Sequence, residues 1–157
     1  MTESYEELTR YLEAAGREPQ GEWVIDTQND GTLEHPIQVP YVSYSKMAED
    51  LMRDIYAFDR EHPEYHMNQY SRVLAEKHIE WGTKAMLAAN PADLDADTIL
   101  ALLMGAVRAD RFCEGAFLNF LEEGAVEAWL KRLQRIDREN QRPAEPDLQE
   151  NKKGTDR

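Results

Sequence analysis

TILALLMGAV, residues 98–107, decides how the rest of the chain is read. At about 100° per residue, Ile99, Leu100, Leu102, Leu103, Met104, Ala106 and Val107 point in nearly every direction around a helix. A helix that is apolar on all sides belongs in the middle of a domain. The run is too short to cross a bilayer, which takes roughly 20 apolar residues. Asp95 or Asp97 stands where such a helix needs an N-cap. RADRFCEG, residues 108–115, follows at once and holds two arginines, two acids and the only cysteine of the chain. The expectation is a central buried helix over about 98–112, with the charged octet where it comes out into water.

Working outward, the flanking segments read as amphipathic helices around that centre. Residues 4–15 carry an apolar stripe of Leu8, Tyr11, Leu12 and Ala15, with Ser4 and Glu7 at capping-box spacing and Gly16 at the end. Ser45 opens a helix over 46–60, and a further one spans about 68–89 up to Asn90-Pro91. After the octet, Gly115 and Gly124 punctuate AFLNFLEE and AVEAWLKRLQRIDRE. Val126, Trp129, Leu130, Leu133 and Ile136 lie on one side of the last helix. Residues 22–42 differ: EWVID and PIQVPYV are β-prone and flank the turn signal Asp30-Gly31. They predict a β-hairpin, with Pro36 and Pro40 confining its second strand to an edge. The fold class expected is mainly α (α+β), five or six helices around the 98–112 helix with one hairpin over about 22–42. Residues 1–139 form one domain in this reading, and 140–157 form a disordered polar tail.

The chain has 157 residues and a formal charge of −13. Residues 1–97 hold 20 acids and 8 bases, whereas residues 98–157 hold 11 acids and 10 bases. Such an acidic chain repels nucleic acid and anionic membrane. With one cysteine, no internal disulfide and no cysteine zinc site can form. The acidic N-terminus lacks the lysines and apolar stretch of a signal peptide, so the expected location is cytoplasmic.

The octet is the first candidate for chemistry. On a continuing helix Arg108, Arg111 and Glu114 share one side, and Asp110 extends the face of Ile99 and Leu103. One reading is an anion-binding site with Asp110 or Glu114 as acid/base. The competing one, favoured here, is an ion-pair network that satisfies charges at the end of a buried helix. Cys113 falls toward Leu102 and Ala106 and reads as a small buried hydrophobe. Trp23, Tyr41 and Tyr44 are candidate binding residues, able to line an aromatic pocket or a partner surface. In HPEYH, His62 and His66 have chelating spacing, but the acid is misplaced for a zincin and Pro63 argues for a loop. No metal and no cofactor are expected. Glycine-rich phosphate loops, GxSxG and the dinucleotide fingerprint are all missing from the sequence.

PYVSYS, RADRFCEG and EEGAVEAWLKRL, in that order, resemble the uncharacterised bacterial family of unknown function DUF6508, with the pattern PYxxYS, RxDRFxEG and EGxxxxxLxRL. The resemblance covers roughly residues 8–138. It implies no activity to carry over. Two kinds of function follow from the residues themselves: a non-catalytic interaction or regulatory domain, with a protein partner or a second copy, or a small enzyme acting on an anionic metabolite through Arg108, Asp110, Arg111 and Glu114.

Overall fold

The computed structural model describes residues 4–16 and 20–141. The chain is mainly helical with one small β-hairpin. Its elements are α1 (Glu6–Thr9), α2 (Leu12–Ala15), β1 (Gly21–Val24), β2 (Tyr41–Tyr44), α3 (Lys46–Glu61), α4 (Tyr70–Glu76), α5 (Thr83–Ala88), α6 (Ala96–Ala109), α7 (Ala116–Glu122) and α8 (Ala125–Gln141).

Helix α6 is the central helix. Every residue from Thr98 to Val107 is buried, and α3, α4, α7 and α8 pack around it. Asp95 is its N-cap, accepting hydrogen bonds from the Thr98 amide and hydroxyl at 3.0 and 2.6 Å. Gly105 leaves room for the Trp81 ring, whose Nε1 donates to the Gly105 carbonyl at 3.0 Å; a Cβ there would stand 3.1 Å from that ring. Ser45 caps α3 through the Ala48 amide and ties it back to Gln20, just before β1.

Five or six helices were expected and eight are found among the described residues, because two of the segments break. The 4–15 helix divides at Arg10–Tyr11, and its cap differs too: Ser4 accepts from the Glu6 amide, but Tyr5 occupies the N-cap position. The 68–89 helix divides after Glu76. His78 takes a left-handed backbone (φ 63°), and the Ile79 amide reaches back to the Leu74 carbonyl, a helix-ending bond. That break lets Ile79 be buried and Trp81 reach α6, a tertiary gain no local pattern contains.

Two further corrections bear on function. Helix α6 ends at Ala109, so residues 110–114 are a hydrogen-bonded turn and not three more helical positions. The hairpin exists, but β2 begins at Tyr41: PIQVP lies outside the sheet, and residues 25–40 form one long connection. Pro36 and Pro40 have no amide to give to a ladder. The last helix extends to Gln141, and the remainder of the polar tail, 142–157, lies outside the described residues. Among the described residues no helix is long and apolar enough to cross a membrane.

Candidate functional site

The register of the hairpin sorts its side chains. Gly21 pairs with Tyr44 and Trp23 with Val42, which puts these four on one face; Glu22, Val24, Tyr41 and Ser43 take the other. The first face lies on the turn after α6. Val42 is buried, and the Tyr44 ring meets Phe117 edge-on at 6.3 Å. Trp23 rests on Gly115, where an added Cβ would come within 2.5 Å of the indole. Gly115 has φ 86°, a conformation that side-chain-bearing residues rarely adopt.

The two octet acids fasten this face. Asp110 Oδ1 accepts from the Tyr44 hydroxyl at 2.6 Å and from the Phe117 amide at 3.0 Å. The same hydroxyl accepts from the Leu118 amide at 3.0 Å, so one phenol links the hairpin to both ends of the 110–117 turn. Glu114 Oε2 accepts from the Val42 amide at 2.8 Å. Burial, and then the Asp110 carboxylate accepting its proton, hold the Tyr44 phenol well above the usual tyrosine range. Tyr44 is therefore a neutral donor at any ordinary pH. PYVSYS and RADRFCEG, more than 60 residues apart, are thus bonded to one another.

The arginines go elsewhere. Arg108 turns toward α4, its guanidinium carbon 5.9 Å from the centre of the Tyr70 ring. Arg111 is exposed. Among the described residues neither arginine forms an ion pair, so the expected Arg–carboxylate network does not form. The four octet candidates do not converge: Arg108 lines one cleft and Glu114 another. Cys113 is exposed and not buried, since the helical projection that placed it beside Leu102 stops at Ala109.

The Glu114 cleft is small, about 300 Å³, and lies between Trp23, Cys113 and the first turns of α7. Trp23 is 48% exposed over it, while Tyr41 (39% exposed) is on the opposite face of the hairpin. The three aromatic candidates therefore do not make one pocket. Large apolar side chains are displayed beyond them. Ile25, Leu33, Ile37 and Val39 project from the 25–40 loop, and Phe112 stands 75% exposed on the turn. The sequence pattern missed the loop residues because alternation in PIQVPYV suits a half-buried strand as well as a bare one.

The loop has its own frame. Asp26 accepts from the amides of Gln28, Asn29 and Gln38 and from the Asn29 side chain, at 2.7–3.1 Å. These bonds, the Asn29 side chain first, hold the Asp26 carboxyl far below the usual carboxylate range. The Gly31 amide donates to the His35 carbonyl at 2.9 Å and closes the tip.

His62 and His66 do not chelate together. His66 adopts a left-handed backbone (φ 56°), and His62 stacks on Phe58 with Nδ1 3.4 Å from Glu64. Glu7, Glu61 and His62 do bring ligand atoms within 4.8 Å of one another at the surface, a grouping invisible in the sequence because 54 residues separate Glu7 from Glu61. Exposed acidic groups gather in this way without an ion. The cations of α8 are dispersed: Arg132 donates to the Leu94 carbonyl at 2.8 Å, and Lys131 and Arg135 sit beside Glu127 and Glu139.

Fold and site together define a helical domain with a central apolar helix and a hairpin bonded to its end. The model of a family of unknown function, DUF6508, matches residues 2–139, and the chain belongs to that family. It matches no curated protein and no solved structure.

Proposed function

We propose that this domain is an interaction module whose docking element is the 25–40 loop, and that its partner is another protein with an apolar groove rimmed by basic residues. The observation that carries the reading is a run of twelve consecutive exposed residues, 30–41, that includes Leu33, Ile37 and Val39. Burying side chains of this kind stabilises a complex by roughly 25 cal/mol per Å². Leaving them in water has no structural advantage for the free chain. Asp26 and the Gly31–His35 bond order the loop before any partner arrives, which lowers the entropy cost of binding.

Charge indicates the kind of partner. Between Gln20 and Ser45 the chain has four acids (Glu22, Asp26, Asp30, Glu34) and no lysine or arginine. A second copy docked loop to loop would bring like charges together, whereas a basic rim complements them.

A photo-crosslinking residue at Leu33, expressed in the native cell, tests this. The expected result is one discrete adduct with a different protein. It should be absent when the crosslinker is at Lys84, weaken as salt is raised, and vanish in an Ile37→Ser/Val39→Ser variant that keeps the wild-type circular dichroism. Adducts only between copies of the chain, together with a dimer by sedimentation, would contradict the heterologous partner. Equal labelling from the loop and from Lys84 would contradict a docking role altogether.

A further inference from the structure

Arg108 is one of two charged side chains with a buried polar atom left without a partner among the described residues. Its Nε is buried and has no hydrogen-bond partner, and its guanidinium lies over Tyr70 with no carboxylate in ion-pair range among the described residues. The chain has 31 acids against 18 lysines and arginines, so a partner for this one arginine would be easy to supply. A partly buried guanidinium without a counter-charge is costly, because the group gives up water and gains no pairing in return.

The surroundings of Arg108 are equally selective. It forms one wall of an open cleft of about 550 Å³, with Asn68, Gln69, Tyr70, Ser71, Arg72 and Ala75 along the rest. This lining offers two guanidinium groups, two carboxamides and two hydroxyls, and no acid. Arg72 is held by Gln69 and only loosely by Glu76, at 3.3 Å with both side chains well exposed. An exposed pair of that kind gives way readily to a better acceptor. The cleft is of a size that takes a small metabolite.

We propose that this cleft, independently of the 25–40 loop, binds a small molecule through an oxyanion, with Arg108 and Arg72 gripping it from two sides. Asn68, Ser71 and Tyr70 supply directional hydrogen bonds to the remaining oxygens. Guanidinium groups match the geometry of phosphate and carboxylate oxygens, and both classes share this chemistry. The Arg108–Tyr70 stack positions one guanidinium in advance.

The test is titration of the full-length chain with inorganic phosphate and, separately, citrate, followed by amide chemical shifts, with sodium chloride at matched ionic strength as control. Saturable shifts at Asn68, Ser71, Arg72 and Arg108 are expected from at least one oxyanion and not from chloride. Preference for phosphate or for citrate identifies the class. Arg72→Gln, at an exposed position, should keep the fold and weaken binding by at least about tenfold, the value of a lost charge-assisted bond. Arg108→Lys keeps the charge but loses the fork, and should weaken it similarly. Shifts reproduced by chloride, shifts centred outside the cleft, or unchanged affinity in both variants would overturn the assignment.

Discussion

At Gly115 the hairpin and the helical body come closest, and two physical demands fall on one residue. Its φ of 86° disfavours any side chain, and the Trp23 ring occupies the place of a Cβ at 2.5 Å. Gly124 carries only the first demand: φ is 83°, and nothing lies within 4 Å of an added Cβ. Gly124→Ala should therefore cost about 1–2 kcal/mol of backbone strain. Gly115→Ala should cost at least about 1 kcal/mol more and release Trp23, seen as a red shift of its fluorescence. Denaturant unfolding of the two variants measures the difference, and equal losses would show that the Trp23 contact contributes nothing. The sequence marks both glycines as punctuation, but it cannot show what lies over each one. Asp110 and Glu114 show the same limit. Their acidity is plain in RADRFCEG, whereas their acceptor roles toward Tyr44 and Val42 depend on residues 66 and 72 positions away.

Among the elements, α1 and α2 are too short to be stable alone, since isolated helices need roughly 12 residues or more. They hold their shape by packing on α3 and α8. Asp137 of α8 makes the polar part of that contact, accepting from the Tyr5 amide at 2.9 Å and from the Ser4 hydroxyl at 3.4 Å. Its Oδ1 is buried without a partner among the described residues. Burial outweighs those bonds and holds the Asp137 carboxyl above the usual range. The folded chain then keeps a proton at Asp137 that the unfolded chain has already released. Between the ordinary carboxylate range and this raised value, stability contributed by Asp137 is lost as pH rises. Asp137→Asn preserves an acceptor for Tyr5 and removes the charge. Its unfolding midpoint, followed from pH 4 to pH 7, should lack that loss and match or exceed the wild type at pH 7. A uniform drop at every pH would contradict the account. Elements with a full apolar stripe, such as α3 and α8, are legible in the sequence. Those divided by tertiary demands are not, as the break at His78 shows: it exists because Trp81 has a place on α6.

For the whole molecule, the all-round apolar run at 98–107 sufficed to place the centre of the fold, because only burial on every side accommodates such a helix. The distribution of the charged residues around it was hidden. Arg108, Asp110, Arg111 and Glu114 are close in the chain, yet the last turn of α6 and the turn after Ala109 send them in three directions: into the α4 cleft, under the hairpin and out to water. The result is a helical body with a bonded-on hairpin that displays the 25–40 loop. That arrangement makes the octet acids fasteners of the hairpin. Hydrogen–deuterium exchange on Asp110→Ala reads that fastening. Losing the Tyr44 and Phe117 bonds should speed exchange of the ladder amides in β1 and β2 by at least about tenfold, while residues 98–107 of α6 keep their protection. Unchanged exchange in the hairpin, or opening of α6 to the same extent, would contradict the claim.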